Sequence, residues 1–237
     1  ARGPVPWLHE EVARRMAERL GVLRQPPRRI VDWGARAGGS EAALRRACPQ
    51  ARYVPAECFP VGGNDVGGVA EGSARRPGRW SLPFLPWRGA TARVATAESV
   101  LPADEADLLW SNMTLHHMDD PLQGMSRWLR LLREQGLLMF STLGPGTLDS
   151  LRRLYVGEGW GEPLAPFVDM HDLGDMLAQA GFADPVMDQE VLTLTWATPA
   201  QALAELRQLG GNAGRYRPPG LRTPRWRDRL ERAMARL

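Results

Sequence analysis

The stretch that most restricts the fold is Arg29-Ile30-Val31-Asp32-Trp33, together with the glycine-bearing loop after it. This short apolar run, closed by glycine, reads as a strand buried on both faces. The next residues, 34–39, form a loop with Gly34, Gly38 and Gly39, where a missing Cβ lets the backbone bend sharply and approach a ligand closely. Ser40 has the side chain of a helix N-cap, and Glu41-Ala42-Ala43-Leu44-Arg45-Arg46 consists largely of strong helix formers. Arg52-Tyr53-Val54-Pro55-Ala56-Glu57 then reads as a second strand. A strand–loop–helix–strand opening of this kind commits a chain to an α/β architecture.

The rest of the chain continues the alternation. Upstream, Leu8, Val12, Met16 and Leu20 recur at i, i+4 spacing and predict a helix over 7–20. Strands are predicted over 91–95, 107–111, 136–141 and 186–196, the last from its alternating pattern. Helices are predicted over 121–133, 146–155, 171–180, 199–209 and 224–237, with Gly181 ending the third of these. Between 60 and 90, Gly62, Gly63, Gly67, Gly68, Pro77, Pro83 and Pro86 break every period, which predicts a long irregular insertion. Strands alternating with helices give a doubly wound, mostly parallel sheet covered on both faces. We expect 1–237 to form a single domain, with the insertion at 60–90 and helical cap segments at about 146–180 and 199–237.

Composition narrows the function classes. No run of about 18 apolar residues occurs, so no membrane partner is expected. Ala1 to Trp7 lacks the apolar core and cleavage site of a secretion signal. Cys48 and Cys58 are too few for a disulfide framework, and they suit free thiols in the cytoplasm. All 30 basic residues are arginine, yet the net charge is +3, a weak field for a nucleic-acid binder. The basic stretch holding Arg215, Tyr216, Arg217, Arg222, Arg225, Trp226, Arg227 and Arg229 can be read as a base-stacking surface, but more simply as a solvated helix. Nucleic acid is therefore not expected as a partner.

Ligands of doubly wound sheets bind beyond the carboxyl ends of the strands, so the residues after each strand matter most. After the first strand stands the loop of Asp32, Gly34 and Gly38, opening a helix. After the second comes Glu57, placed where a carboxylate can grip ribose hydroxyls. After the third come Thr96, Ala97 and Glu98, and after the fourth Ser111-Asn112-Met113-Thr114-Leu115-His116-His117. Neighbouring histidines cannot both face one ion from a regular element, so no metal is expected. One of the two is expected to pack over a ligand while the other meets solvent.

Three further segments sharpen the pattern. They are Asp119-Asp120-Pro121, Phe140-Ser141-Thr142-Leu143-Gly144-Pro145-Gly146-Thr147-Leu148 and Phe167-Val168-Asp169-Met170-His171-Asp172-Leu173-Gly174-Asp175. Together with Ala180-Gly181-Phe182 and Leu206-Arg207-Gln208-Leu209-Gly210-Gly211-Asn212, the chain resembles class I S-adenosyl-L-methionine-dependent methyltransferases. Within that class it is most similar to the malonyl-acyl-carrier-protein O-methyltransferases of biotin synthesis. A mitochondrial respiratory-complex assembly factor shares several of the segments, so the likeness alone leaves the reaction open.

The resemblance implies a Rossmann-like sheet of the class I methyltransferase type, expected here without its last strand and without the aromatic N-terminal lid. It implies S-adenosyl-L-methionine as cofactor, held by Asp32, Gly34, Gly38 and Glu57, with Thr96, Ala97 and Glu98 framing the adenine and Asn112 and Leu115 walling the methyl donor. It also implies acyl carrier protein as partner, with His116 and Arg152 on the substrate side; Arg152 would pair with a malonyl carboxylate. Two departures cut against cofactor binding. Arg36 replaces the middle glycine of the loop, and Thr96 replaces an aspartate that would accept from the adenine amine. Two readings stay open: an active carboxylate O-methyltransferase, or a degenerate relative that has lost the cofactor and serves as a binding or assembly partner.

Overall fold

Alternation along the strands divides the interior into two cores. The computed structural model describes residues 6–56, 105–118, 120–209 and 223–237. Among these residues the sheet has four strands: β1 (Arg29–Trp33), β2 (Arg52–Ala56), β3 (Ala106–Ser111) and β4 (Leu132–Phe140). The spatial order is β2-β1-β3-β4 and every pairing is parallel.

Helix α1 (Trp7–Glu18) and helix α2 (Glu41–Ala47) cover one face. There Ala13, Met16, Ala17 and Leu44 pack on Ile30, Leu108 and Trp110. Helices α3 (Pro121–Leu131) and α5 (Met170–Ala180) cover the other, where Met125, Trp128, Leu173 and Leu177 meet Val31, Trp33 and Leu109. Successive side chains of a strand point to opposite faces, so Ile30 serves one core and Val31 the other. Trp33 and Trp128 meet edge-to-face at 6.5 Å between centroids in the second core. Further helices are α4 (Asp149–Gly157), α6 (Pro199–Gln208) and α7 (Pro224–Met234).

The expected doubly wound sheet is thus present, with α2 and α3 on opposite faces. Its order reverses between β1 and β3, and beyond the carboxyl ends of strands at such a switch point is where ligands of doubly wound sheets bind. The first expected helix ends two residues early and passes into a 3-10 turn over Arg19–Val22.

Four expectations need correction. The strand expected over 186–196 does not form: the segment pairs with none of the described strands, and Val186 and Val191 are 92% and 83% exposed. An alternating pattern supplies a candidate face, but a strand exists only where a partner supplies the ladder. Ion pairs from Arg15 to Glu190 and from Arg19 to Asp188 tie this segment to the region of α1. The helix expected from 146 begins at Asp149, because Leu148 adopts a left-handed φ of 52°. β4 starts at Leu132 directly after α3 rather than at 136, with an irregular register between its pairings to Ala106 and Leu108. The loop over 34–39 contains a one-turn helix, Ala35–Gly38, flanked by left-handed Gly34 and Gly39. The insertion at 60–90 and the strand expected over 91–95 lie outside the described residues.

Candidate functional site

The crevice is built around the loop that leaves β1. Gly34 turns the chain with φ 79°, a region that Cβ-bearing residues rarely enter, and its N–H donates to the Ala56 carbonyl at 2.7 Å. The turn after β1 is thereby fixed to the end of β2. Gly38 is buried, and a Cβ there would lie 3.1 Å from the Asn112 carbonyl oxygen, so glycine permits the close approach of the loop to the end of β3. Arg36, between them, is exposed.

Asp32 is fully buried on β1 and accepts a hydrogen bond from the Tyr53 hydroxyl at 2.8 Å. Burial, together with the Asp32 carboxylate, pushes the Tyr53 phenol well above its ordinary range, so it stays a donor. The Arg45 guanidinium stacks over the Tyr53 ring at 5.1 Å.

Asn112, also fully buried, is the hub of the site. Its Nδ2 donates to the carbonyls of His9 at 2.8 Å and Gly38 at 2.6 Å, and its Oδ1 accepts from the Ser141 hydroxyl at 2.7 Å. One amide therefore joins α1, the glycine loop, the end of β3 and the end of β4. The next residue, Met113, is held at φ 54°, an uncommon conformation for a residue with a Cβ. Its N–H donates to the Ser141 carbonyl at 3.1 Å. Leu115 is buried in the core beneath this turn.

Ser40 was expected to cap α2. It makes no side-chain cap; its hydroxyl accepts from the Trp110 indole at 2.8 Å. A buried indole N–H on the adjacent strand is the more demanding partner.

Three imidazoles gather at this end of the sheet. His116 lies edge-to-face on Phe167 at 5.9 Å and against His117 at 4.1 Å, with Nδ1 3.4 Å from the Thr142 hydroxyl. Burial pushes its pKa down to about 3, and the charges of His117 and His9 would act the same way. His116 is therefore neutral at pH 7, while its neighbour His117 is exposed. No group of three or more His, Cys, Asp or Glu suited to a metal occurs among the described residues.

His9 is the residue that sequence reasoning missed. It is 4% exposed, and its Nδ1 lies 2.7 Å from the Ala37 carbonyl. A signal existed: His9, Ala13, Met16 and Leu20 recur at helical spacing beside the apolar stripe. Tyr53 and Ser141 were missed as well; Ser141 follows β4 as Asn112 follows β3.

The predicted residues are thus partly assembled. Asp32, Gly34, Gly38, Asn112 and Leu115 converge on the β1 and β3 ends, with His116 beside them. Arg152 stands apart on α4: it donates to the Pro145 carbonyl at 3.2 Å and pairs with Glu162 at 3.4 Å. Glu57, Thr96, Ala97 and Glu98 lie outside the described residues. From His116 and Thr142 an open trench of about 3050 Å³ extends past Phe167 and Tyr155 to Trp226. Leu151 and Arg153 line the trench, whereas Arg152 does not.

Known proteins resemble this chain in sequence. Residues 7–184 fit the model of a methyltransferase domain family. A malonyl-[acyl-carrier protein] O-methyltransferase of Gallionella capsiferriformans is 36% identical over 86% of the chain and 68% of its own length. Proteins with the same name from Laribacter hongkongensis and Halorhodospira halophila are 34% and 35% identical, each over 97% of the chain and over 76% and 74% of their own lengths. Among the described residues, no helix is long and apolar enough to cross a membrane.

Proposed function

The chain belongs to the methyltransferase domain family and, within it, groups with the malonyl-[acyl-carrier protein] O-methyltransferases, and on that premise we propose that it methylates a free carboxylate such as that of malonyl-acyl carrier protein, with S-adenosyl-L-methionine as cofactor. The observation that carries this reading is the loop after β1. Gly34 keeps its left-handed turn, and the Arg36 side chain is exposed. An Arg36 side chain outside the packed core supports the reading despite the altered loop.

When bound, the cofactor supplies an electrophilic methyl carbon on a sulfonium, and a carboxylate accepts it without a general base. Catalysis then rests on positioning and charge. The chain's residues suit that task. The loop around Gly34 and Gly38 receives the cofactor, backed by Asp32 and Tyr53. Glu57 is proposed for the ribose hydroxyls, and Thr96, Ala97 and Glu98 for the adenine. A neutral His116 adds no positive charge next to a sulfonium and offers a flat wall for the acyl group. Arg152 is proposed for the malonyl carboxylate, which requires it to leave Glu162 and turn into the trench that it does not line here. The trench is proposed to receive the pantetheine arm of an acyl carrier protein, the proposed partner, in the cytoplasm.

The test is transfer of labelled methyl from S-adenosyl-L-methionine to malonyl-acyl carrier protein, with acetyl-acyl carrier protein as control. Transfer to the first and not the second is expected. Binding of S-adenosylhomocysteine without transfer to malonyl-acyl carrier protein would reject the assigned acceptor. Failure to bind it at all would favour the degenerate relative.

A further inference from the structure

Helix α7 lines the trench with one face and turns a second face to solvent. Trp226, Leu230 and Met234, at i, i+4 and i+8, belong to the trench wall. Trp226 packs on Tyr155 at 6.3 Å and on Trp160 at 5.9 Å between centroids, which seats α7 on α4 and on the turn after it. Roughly a third of a turn around the helix, Arg225, Arg229 and Arg232 recur at i, i+4 and i+7. Arg236 follows four residues later, in the turn that ends the helix. All four are exposed. From Arg225 to Arg232 the row runs about 10 Å along the helix axis.

The row is partly held in place and partly open. The Arg229 guanidinium lies over the Trp160 ring at 5.7 Å, and Arg236 pairs with Glu158 at 2.6 Å. Arg225 and Arg232 have no ion pair among the described residues, and Glu231 is taken by Arg227 at 2.6 Å. Between 223 and 237, five arginines stand against Asp228 and Glu231. That excess of three equals the net charge of the whole chain, so the positive charge is concentrated on this helix.

A row of arginines at helical spacing fits carboxylates at helical spacing on another protein. Nucleic acid is the poorer match. Base stacking needs an aromatic ring beside the arginines, and Trp226 faces the trench instead, against Tyr155 and Trp160. The trench beside the row narrows the partner further. A substrate tethered to a carrier needs one surface for its arm and another for the carrier's body, and the two faces of α7 supply both.

We propose that Arg225, Arg229, Arg232 and Arg236 form the docking face for a carrier protein that presents an acidic helix, with the carrier's arm passing beside α7 into the trench. This rests on the carboxylate methyltransferase reading above and adds the place where the protein part of the substrate binds.

The test compares malonyl-acyl carrier protein with malonyl-pantetheine, which has the arm and no carrier body. The double variant Arg225→Glu/Arg232→Glu reverses the two arginines that have no ion pair. Its kcat/KM for malonyl-acyl carrier protein is expected to fall about tenfold or more, through KM, as two surface pairs made repulsive would give. Turnover of malonyl-pantetheine and binding of S-adenosylhomocysteine should stay within about twofold. Arg225→Lys/Arg232→Lys keeps the charge and should stay within about threefold of the wild type on both substrates. Raising salt from about 0.05 to about 0.5 M should weaken the wild type on the carrier substrate alone. Equal loss on both substrates in the glutamate variant, or no loss on either, overturns the proposal. So does a glutamate variant that loses affinity for duplex DNA or RNA and keeps full activity on malonyl-acyl carrier protein. If the wild type methylates neither malonyl substrate, the function reading itself fails. Titration with holo-acyl carrier protein then decides the docking face by itself: binding about tenfold weaker in the glutamate variant supports it, and no binding or equal binding rejects it.

Discussion

Asn112 illustrates how a single side chain sets the geometry of the crevice. Replacing it with alanine leaves the His9 and Gly38 carbonyls and the Ser141 hydroxyl without their partner in a buried place. Three hydrogen bonds lost at about 0.5–1.5 kcal/mol each should lower the unfolding free energy of Asn112→Ala by about 2–4 kcal/mol. Chemical denaturation measures this directly, and a loss below about 1 kcal/mol would argue against the hub. The histidines give a second prediction. His116 is held near pKa 3 in the folded chain, against about 6.5 for an imidazole in water, and His9 is lowered as well. Between those values the unfolded chain binds protons that the folded chain refuses. Stability should thus be complete above about pH 6.5 and fall as pH drops below it, by at most about 1.4 kcal/mol per pH unit for each neutral ring. Unfolding curves at several pH values check the sign, and His116→Phe should make the slope shallower. Asn112 was legible in the sequence as a post-strand polar residue. Its role as a hub was not, because its partners lie 103, 74 and 29 residues away along the chain.

At the level of elements, the glycine loop and the caps carry most of the information. Gly34→Ala forces a Cβ into the left-handed region and should cost about 1–2 kcal/mol, with a matching loss of S-adenosylhomocysteine affinity if the loop is the cofactor site. Asp169 caps α5 by accepting from the His171 N–H at 2.9 Å. Asp169→Ala should cost about 1 kcal/mol in thermal unfolding and leave cofactor binding intact, since α5 packs on the core behind the site. Local chemistry made these elements readable: β1 from its apolar run, α1 from its i, i+4 stripe, and the end of α5 from Gly181. The failures share one physical cause. Ser40 has a cap's side chain, yet the Trp110 indole claims it from another strand. The segment 186–196 has a strand's alternation, yet strand formation depends on a distant partner that local sequence does not specify. Leu148 breaks the start of α4 with a backbone conformation that its residue type does not advertise.

For the whole molecule, winding explains function. β1 leads through α2 to β2 on one side, and β3 leads through α3 to β4 on the other, so the loops after β1 and β3 part and leave a crevice. Both cores, with Trp110 and Trp128 fully buried, hold those strand ends in place. The sheet class was legible because alternation of strand and helix is local. Its use was legible only through the resemblance, since a doubly wound sheet serves many chemistries. The central claim is that this crevice still admits a sulfonium nucleoside despite Arg36. Calorimetric titration of the full chain with S-adenosylhomocysteine tests it most directly. One site with a dissociation constant in the micromolar range is expected, unchanged within about twofold in Arg36→Gly; absence of binding up to millimolar ligand, or binding that appears only in Arg36→Gly, would contradict that claim.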